Sequence, residues 1–228
     1  MLWNIQRLCL KFMAQPSLMS RYKAVVFDLG GVIMTYKYMP YIERFFKLAM
    51  SPENAKVREQ FIEMEKGNIL FEDANKVFAP ILEKDPQLKK QIEANMTSDN
   101  ILSVFNNMKQ DPDWMRVLFK LRENGIKTAL LTNNVKKKGN ITFTHMDYSI
   151  FDLVVMSAVE GIRKPDPEIF RRTAKRLDVR PEECVFVDDF EENCKGAKSI
   201  GMGAIWERNF DAISAIMELQ SLLKIPLI

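Results

Sequence analysis

The chain has 228 residues, of which 47% are hydrophobic and 28% charged, and its formal net charge is only +3. That length supports a full core, as one domain or one domain with an insertion, and the composition excludes intrinsic disorder. Basic residues are offset by acids almost everywhere, which excludes nucleic-acid binding as the main task, and no apolar run approaches the ~20 residues that span a bilayer. A soluble protein without membrane insertion is expected. Cys9, Cys184 and Cys194 show no CxxC pair or metal-finger spacing, which fits reduced thiols in a reducing compartment. A single histidine, His145, argues against a histidine-rich zinc site.

Residues 1–22 stand apart as an N-terminal extension. Arg7, Lys11 and Arg21 meet no acid before Asp28, and Leu2, Trp3, Ile5, Leu8 and Phe12 can share one apolar side, as in a mitochondrial transit peptide. A disordered extension or a helix packed on the core fits the same residues, so the expected location is cytoplasmic or mitochondrial. The stretch from Lys23 to Ile33 then organises the chain. Its apolar run from Ala24 to Phe27 suits a strand buried on both faces, and Asp28 with Gly30 and Gly31 ends that strand in a loop. In open α/β sheets ligands bind at this carboxyl edge, so Asp28 is a site candidate.

Met39 to Phe105 holds no strand-like run. Ser51-Pro52-Glu53 supplies an N-cap, a proline at the first helical position and an early acid, followed by Val57, Phe61, Ile62 and Met64 at helical spacing. Gly67 stops that helix, and others begin near Phe71 and Pro86. An all-helical block that interrupts the core between its first two strands is expected at about residues 37–108. Its aromatic and Met residues are expected to be mostly core.

From Asp111 the pattern alternates helix and strand, as in a parallel sheet built by right-handed crossovers. Pro112 to Asn124 is a helix capped by Gly125. Lys127 to Leu131 is a strand ending in Thr132-Asn133-Asn134, and Phe151 to Met156 is a third, leading to Arg163-Lys164-Pro165-Asp166-Pro167. Cys184 to Val187 is a fourth strand, closing on Asp188-Asp189. A helix from about Glu192 to Ser199, a strand at Ala204 to Trp206 and a terminal helix complete the core. Four strand ends thus carry Asp28, Thr132-Asn133, Lys164 on the loop beyond the third strand, and Asp188-Asp189: a carboxylate nucleophile, carboxylates for a hard cation, a lysine and hydrogen-bond donors, the set that displacement at phosphorus requires.

These residues resemble, in order, the four motifs of the haloacid dehalogenase-like superfamily. The motifs are Phe27-Asp28-Leu29-Gly30-Gly31-Val32, Leu131-Thr132-Asn133, Lys164-Pro165-Asp166, and Val187-Asp188-Asp189 with Asn193 following. The match covers about Lys23 to Trp206, and Glu65-Lys66-Gly67-Asn68-Ile69 looks like the middle of the family's small helical cap. In overall style the chain is most similar to the phosphatase domains at the N-termini of soluble epoxide hydrolases and of some acyl-CoA dehydrogenase family members. The expected architecture is a doubly wound, Rossmann-like parallel sheet in the order 5-4-1-2-3, formed by residues 23–36 and 109–228, with a helical cap at 37–108.

The resemblance implies Mg²⁺-dependent hydrolysis of a small phosphorylated metabolite through an aspartyl-phosphate on Asp28. It implies Mg²⁺ held by the Asp28 carboxylate, the Gly30 carbonyl and Asp189, with Asp188 and Asn193 directing its waters. Thr132 and Asn133 would bind phosphoryl oxygens, and Lys164 would neutralise charge. One position departs from the pattern: family phosphatases usually carry a second aspartate where this chain has Gly30, to protonate the leaving alcohol and activate water. General acid–base catalysis typically contributes about 10²–10⁴-fold. Three outcomes fit: a substrate with a stable leaving group, an acid supplied from elsewhere, or a protein that binds a phosphorylated ligand without turnover. Dehalogenases of the family also lack the second aspartate, although Asp188-Asp189 would be idle in that chemistry. His145 is a candidate replacement base, Lys136-Lys137-Lys138 is either a solvated face or an attractor of anions, and Glu65, Tyr36 and Tyr38 lie in or near the cap, where specificity is set.

Overall fold

The computed structural model describes residues 20–139 and 146–228. The expectations for residues 1–19, Cys9 and His145 lie outside the described residues. Strand β1 (Ala24–Phe27) buries all four side chains, alternately on two faces. Val25 and Phe27 join a cluster with Trp114, Val185 and Ile216, while Ala24 and Val26 join one with Ala129, Phe170 and Phe186. Phe27 meets the Trp114 ring edge-on at 5.5 Å. Burial on both sides is what makes the run continuously apolar rather than alternating.

The chain leaves this core through β2 (Met34–Thr35) and returns through β3 (Lys109–Gln110), which pair antiparallel. Two-residue strands carry no periodic signal, and the sequence reading has no hairpin here. Between them lie α1 (Pro40–Ala49), α2 (Ala55–Glu65), α3 (Ala74–Lys84), α4 (Pro86–Asn95) and a 3-10 segment at Ile101–Asn107. Local signals set their starts. Ser51 Oγ accepts from Glu53 N at 3.2 Å ahead of a short turn into α2, and Asp85 Oδ1 accepts from Leu88 N at 3.0 Å to cap α4.

Helix α5 (Pro112–Glu123) begins at Asp111, which caps it, and ends before Gly125, whose φ is +69°. Then follow β4 (Lys127–Thr132), β5 (Leu153–Met156), α6 (Ser157–Glu160), α7 (Pro167–Arg176), β6 (Cys184–Asp188), α8 (Glu191–Lys198), β7 (Gly203–Trp206) and α9 (Ala212–Leu223). The parallel sheet runs β7-β6-β1-β4-β5. With the hairpin strands left out of the count, this is the expected order 5-4-1-2-3. Ala24 is level with Lys127 on one side and Cys184 on the other, so β1, β4 and β6 run in register and end within two residues of one another. The carboxyl edge of the sheet is therefore a platform, and the helical layer lies beside it. Cys184 and Cys194 are free and buried. No helix among the described residues is long and apolar enough to cross a membrane.

Candidate active site

The platform gathers the residues that the strand ends carry. Lys164 Nζ lies 2.7 Å from Asp28 Oδ1 and 2.7 Å from Asp188 Oδ2, and only 1% of its side chain is exposed. A long, flexible ammonium side chain is immobile here because two carboxylates and the Phe186 ring, 5.3 Å away, enclose it. Asp28 Oδ1 also accepts from Leu29 N at 2.7 Å. Asp188 is saturated: besides Lys164 it accepts from Phe190 N at 2.7 Å and from Asn193 Nδ2 at 3.0 and 3.1 Å. Asp189 differs. Its Oδ2 accepts from the Tyr36 hydroxyl at 2.5 Å, while its Oδ1 is buried with no hydrogen-bond partner.

Asp28, Asp188 and Asp189 bring one carboxylate oxygen each within 4.8 Å of one another. Like charges that close repel by about 4 kcal/mol per pair at an effective dielectric constant of 20. Lys164 supplies a single compensating charge. Burial, with Asp188 beside it, pushes Asp28 up to about 7 even though Lys164 acts in the opposite sense. Burial together with Asp188 and Asp28 holds Asp189 well above the usual carboxylate range. For Lys164, burial opposes the charge, but the two aspartates outweigh it and its pKa rises. Excess negative charge, oxygen-only donors and an orphaned buried carboxylate oxygen together fit a hard divalent cation. Gly31 keeps this corner open: its φ is +89°, and a Cβ there would lie 2.2 Å from Asp189 Oδ2. A Cβ on Gly30, by contrast, meets nothing within 4 Å.

Several residues sit differently from their implied roles. The Asn133 side chain clamps the Lys164 backbone, donating to Lys164 O at 3.1 Å and accepting from Lys164 N at 2.9 Å. Asn133 thus positions the lysine loop from 31 residues away. Thr132 is buried at the cavity wall, its hydroxyl 3.5 Å from Asn133 O, at the limit of a hydrogen bond. Asn193 faces Asp188. Tyr38 is 84% exposed and does not line the cavity, and Lys136 and Lys138 are solvated beside the start of α3. Tyr36 and Glu65 both line the cavity.

Sequence reasoning named Glu65 but not its partner. Its carboxylate lies 2.6 Å from Arg163 Nε, and burial raises its pKa against the pull of Arg163 and Lys164. Glu65 O accepts from Ser157 Oγ at 2.5 Å, and Gly67, at φ +78°, passes so close to Ala158 that a Cβ would lie 2.4 Å from its carbonyl oxygen. The end of α2 is thereby seated on α6, directly beyond β5. The Glu65-Lys66-Gly67 run was the only signal that could have pointed to this contact.

The comparisons agree with this geometry. A family model described as haloacid dehalogenase-like hydrolase matches residues 22–201. Acyl-CoA dehydrogenase family member 10 of Mus musculus is 30% identical over 90% of this chain, which spans 20% of that protein. A sesquiterpene phosphatase of Aspergillus oryzae is 28% identical over 88% of this chain and 96% of its own length. Among solved structures, a wild-type HAD family enzyme of Bacteroides thetaiotaomicron in complex with magnesium and inorganic phosphate superposes with a TM-score of 0.54 at 25% identity, covering 81% of this chain and 93% of that one. The ordered motifs, the 5-4-1-2-3 sheet and the lysine-bridged aspartates at its edge are all explained together: this chain belongs to the haloacid dehalogenase-like hydrolases.

Proposed function

We propose that the chain is a phosphohydrolase acting on a small phosphorylated molecule through a covalent phosphoryl group on Asp28. One observation carries this reading. The Lys164 ammonium bridges Asp28 and Asp188 at 2.7 Å each, where Asp28 opens onto a cavity of about 490 Å³. An Asp28 oxygen attacks phosphorus, the bond to the leaving oxygen breaks, and the leaving group takes that electron pair. Water then attacks the phosphorus of phosphoryl-Asp28, the carboxylate departs, and inorganic phosphate is released.

Lys164 offsets charge as the phosphoryl group arrives, and the Asn133 clamp holds it at that distance. The Thr132 hydroxyl, buried at the cavity wall, would bind a phosphoryl oxygen. Asp28, the Gly30 carbonyl and Asp189 would hold Mg²⁺, supported by Asp188 and Asn193. When bound, Mg²⁺ would neutralise the excess negative charge and polarise the phosphoryl oxygens. The helices of residues 37–108 act as a cap over a core of 23–36 and 109–228, and cap closure excludes water from the first step. The intact Asp188-Asp189 pair favours phosphorus over carbon–halogen chemistry.

Gly30 sets the preference among leaving groups. Among the described residues that line the cavity, Glu65 is paired with Arg163 and the Tyr36 hydroxyl with Asp189, so neither stands in place of the missing aspartate. Names of relatives, a sesquiterpene phosphatase and a glyceraldehyde 3-phosphate phosphatase of Pyrococcus furiosus, share the phosphate and differ in the organic part. The test is phosphate release from an aryl phosphate and an acyl phosphate, with and without Mg²⁺. The expected result is metal-dependent release, faster from the acyl phosphate, and lost in Asp28→Asn. Release that Asp28→Asn retains would overturn the reading, and ligand binding with no release from either substrate would leave a binding protein.

A further inference from the structure

The two sides of the cavity differ in chemistry. Asp28, Thr132 and Asn133 come from strand ends and Lys164 from the loop that follows α6, whereas the helical layer contributes Phe46, Met50, Phe61, Leu102, Phe105, Met108 and a single ionisable residue, Glu65, already paired with Arg163. Phe46 is the hub. Its ring lies 6.2 Å from Phe61, 5.5 Å from Phe105 and 6.1 Å from Phe190, which follows Asp189 directly.

These side chains are not simply the core of the helical layer. Phe45, one position earlier on α1, is 1% exposed and packs on Phe78 at 4.8 Å. Phe46, Met50 and Phe105 are only half-buried, and the surface they leave uncovered lines the cavity that Asp28 opens onto. An aromatic and thioether wall offers no donors or acceptors to the hydroxyls of a sugar or polyol phosphate, which would lose their hydrogen bonds to water on entering. Methylene groups lose nothing there.

Resting on the reading of Asp28 as the phosphoryl acceptor, we propose that the substrate is a phosphorylated apolar chain, an acyl or alkyl (including isoprenoid) phosphate, whose chain lies along Phe46, Met50, Phe61 and Phe105. The phosphoryl group occupies the charged side of the cavity and the chain the aromatic side. In the acyl case the leaving carboxylate departs as an anion and needs no proton. An alkyl chain leaves as an alcohol and takes a proton from solvent.

Alkylphosphonates, which cannot be hydrolysed, separate chain recognition from turnover. Calorimetry in the presence of Mg²⁺ should show affinity rising about fourfold per methylene from butyl- to octylphosphonate, or about 250-fold overall. Met50→Lys and Phe105→Ser should remove most of that gain in proteins that keep the parental melting temperature, weakening octyl- more than butylphosphonate. Equal affinities for the two phosphonates, tighter binding of a sugar phosphonate, or an undiminished gain in both folded variants would each overturn the proposal. Aryl phosphate turnover in wild type and Asp28→Asn, run in parallel, judges the nucleophile alone, so a flat chain-length series with Asp28-dependent turnover sinks only the substrate class. Octanoyl and octyl phosphate then distinguish the two sources: preference for either supports the proposal when acetyl and ethyl phosphate are both poorer, and preference for the short compounds contradicts it.

Discussion

The floor and the roof of the cavity are built on opposite principles. In the floor, three carboxylates at strand ends and one ammonium from the loop beyond α6 meet with almost no solvent, and every contact is specific in distance. The roof is a set of stacked, tilted and edge-on rings around Phe46, held by packing that tolerates volume-conserving change. The difference teaches where identity matters. A floor residue is replaced only at the expense of chemistry, because its neighbours are charged and buried. A roof residue is replaced at the expense of fit, so the same floor can serve different organic groups.

Removing the proposed nucleophile breaks this contrast most severely: Asp28→Asn should lower turnover by at least about 10³-fold, roughly 4 kcal/mol of barrier, with little change in the unfolding midpoint. Next comes the one charge of the roof. Glu65→Ala leaves Arg163 mostly buried without its partner, and denaturant unfolding should show a loss of about 3 kcal/mol. A gain is expected at Gly30, where a Cβ meets nothing within 4 Å, so Gly30→Asp should fit and raise the turnover of alkyl phosphates by about 10²-fold while helping acyl phosphates less. Mg²⁺ at about 100 times its Kd should stabilise the wild type by about 2.7 kcal/mol, and Asp189→Asn should lose most of this in thermal melts.

The smallest effect is expected far from the site, at the amino end of the same sheet. Glu183 accepts from the Lys23 ammonium at 2.7 Å, and this contact with the Arg180 backbone and side chain lowers its pKa to about 2. A depressed carboxylate pKa adds stability above its unfolded value of 4.5, lost as pH falls toward 2. Glu183→Gln should therefore flatten the fall in melting temperature across that window and leave neutral-pH turnover as it is.

The floor was legible in the sequence because buried parallel strands are continuous apolar runs, so the residue that ends each run is conspicuous. Asp28, Thr132 and Asp188 are found in this way, whereas Lys164 lies on the loop beyond the third strand and is singled out by its place in the ordered motifs; the alternation of helix and strand points to a parallel sheet, and the resemblance to the family implies its strand order. What escaped lies in contacts that join distant segments without local periodicity. Tyr36 donates to Asp189 across 153 positions, and Glu65 reaches Arg163 from another layer. Asn133 was assigned to the phosphoryl group, but an amide at a turn serves a ligand or a neighbouring backbone equally well, and here it binds the backbone of Lys164. Phe45 and Phe46 are identical residues in sequence; only helix packing decides that one fills the core and the other faces the cavity.

The most direct measurement is capture of the covalent intermediate. Acid quench within the first turnovers of an acyl phosphate, followed by peptide mass spectrometry, should find a phosphoryl group on the peptide containing Asp28, and none in Asp28→Asn. Turnover in wild type with no phosphorylated peptide, or with the phosphoryl group on another residue, would contradict the assignment of Asp28 as nucleophile.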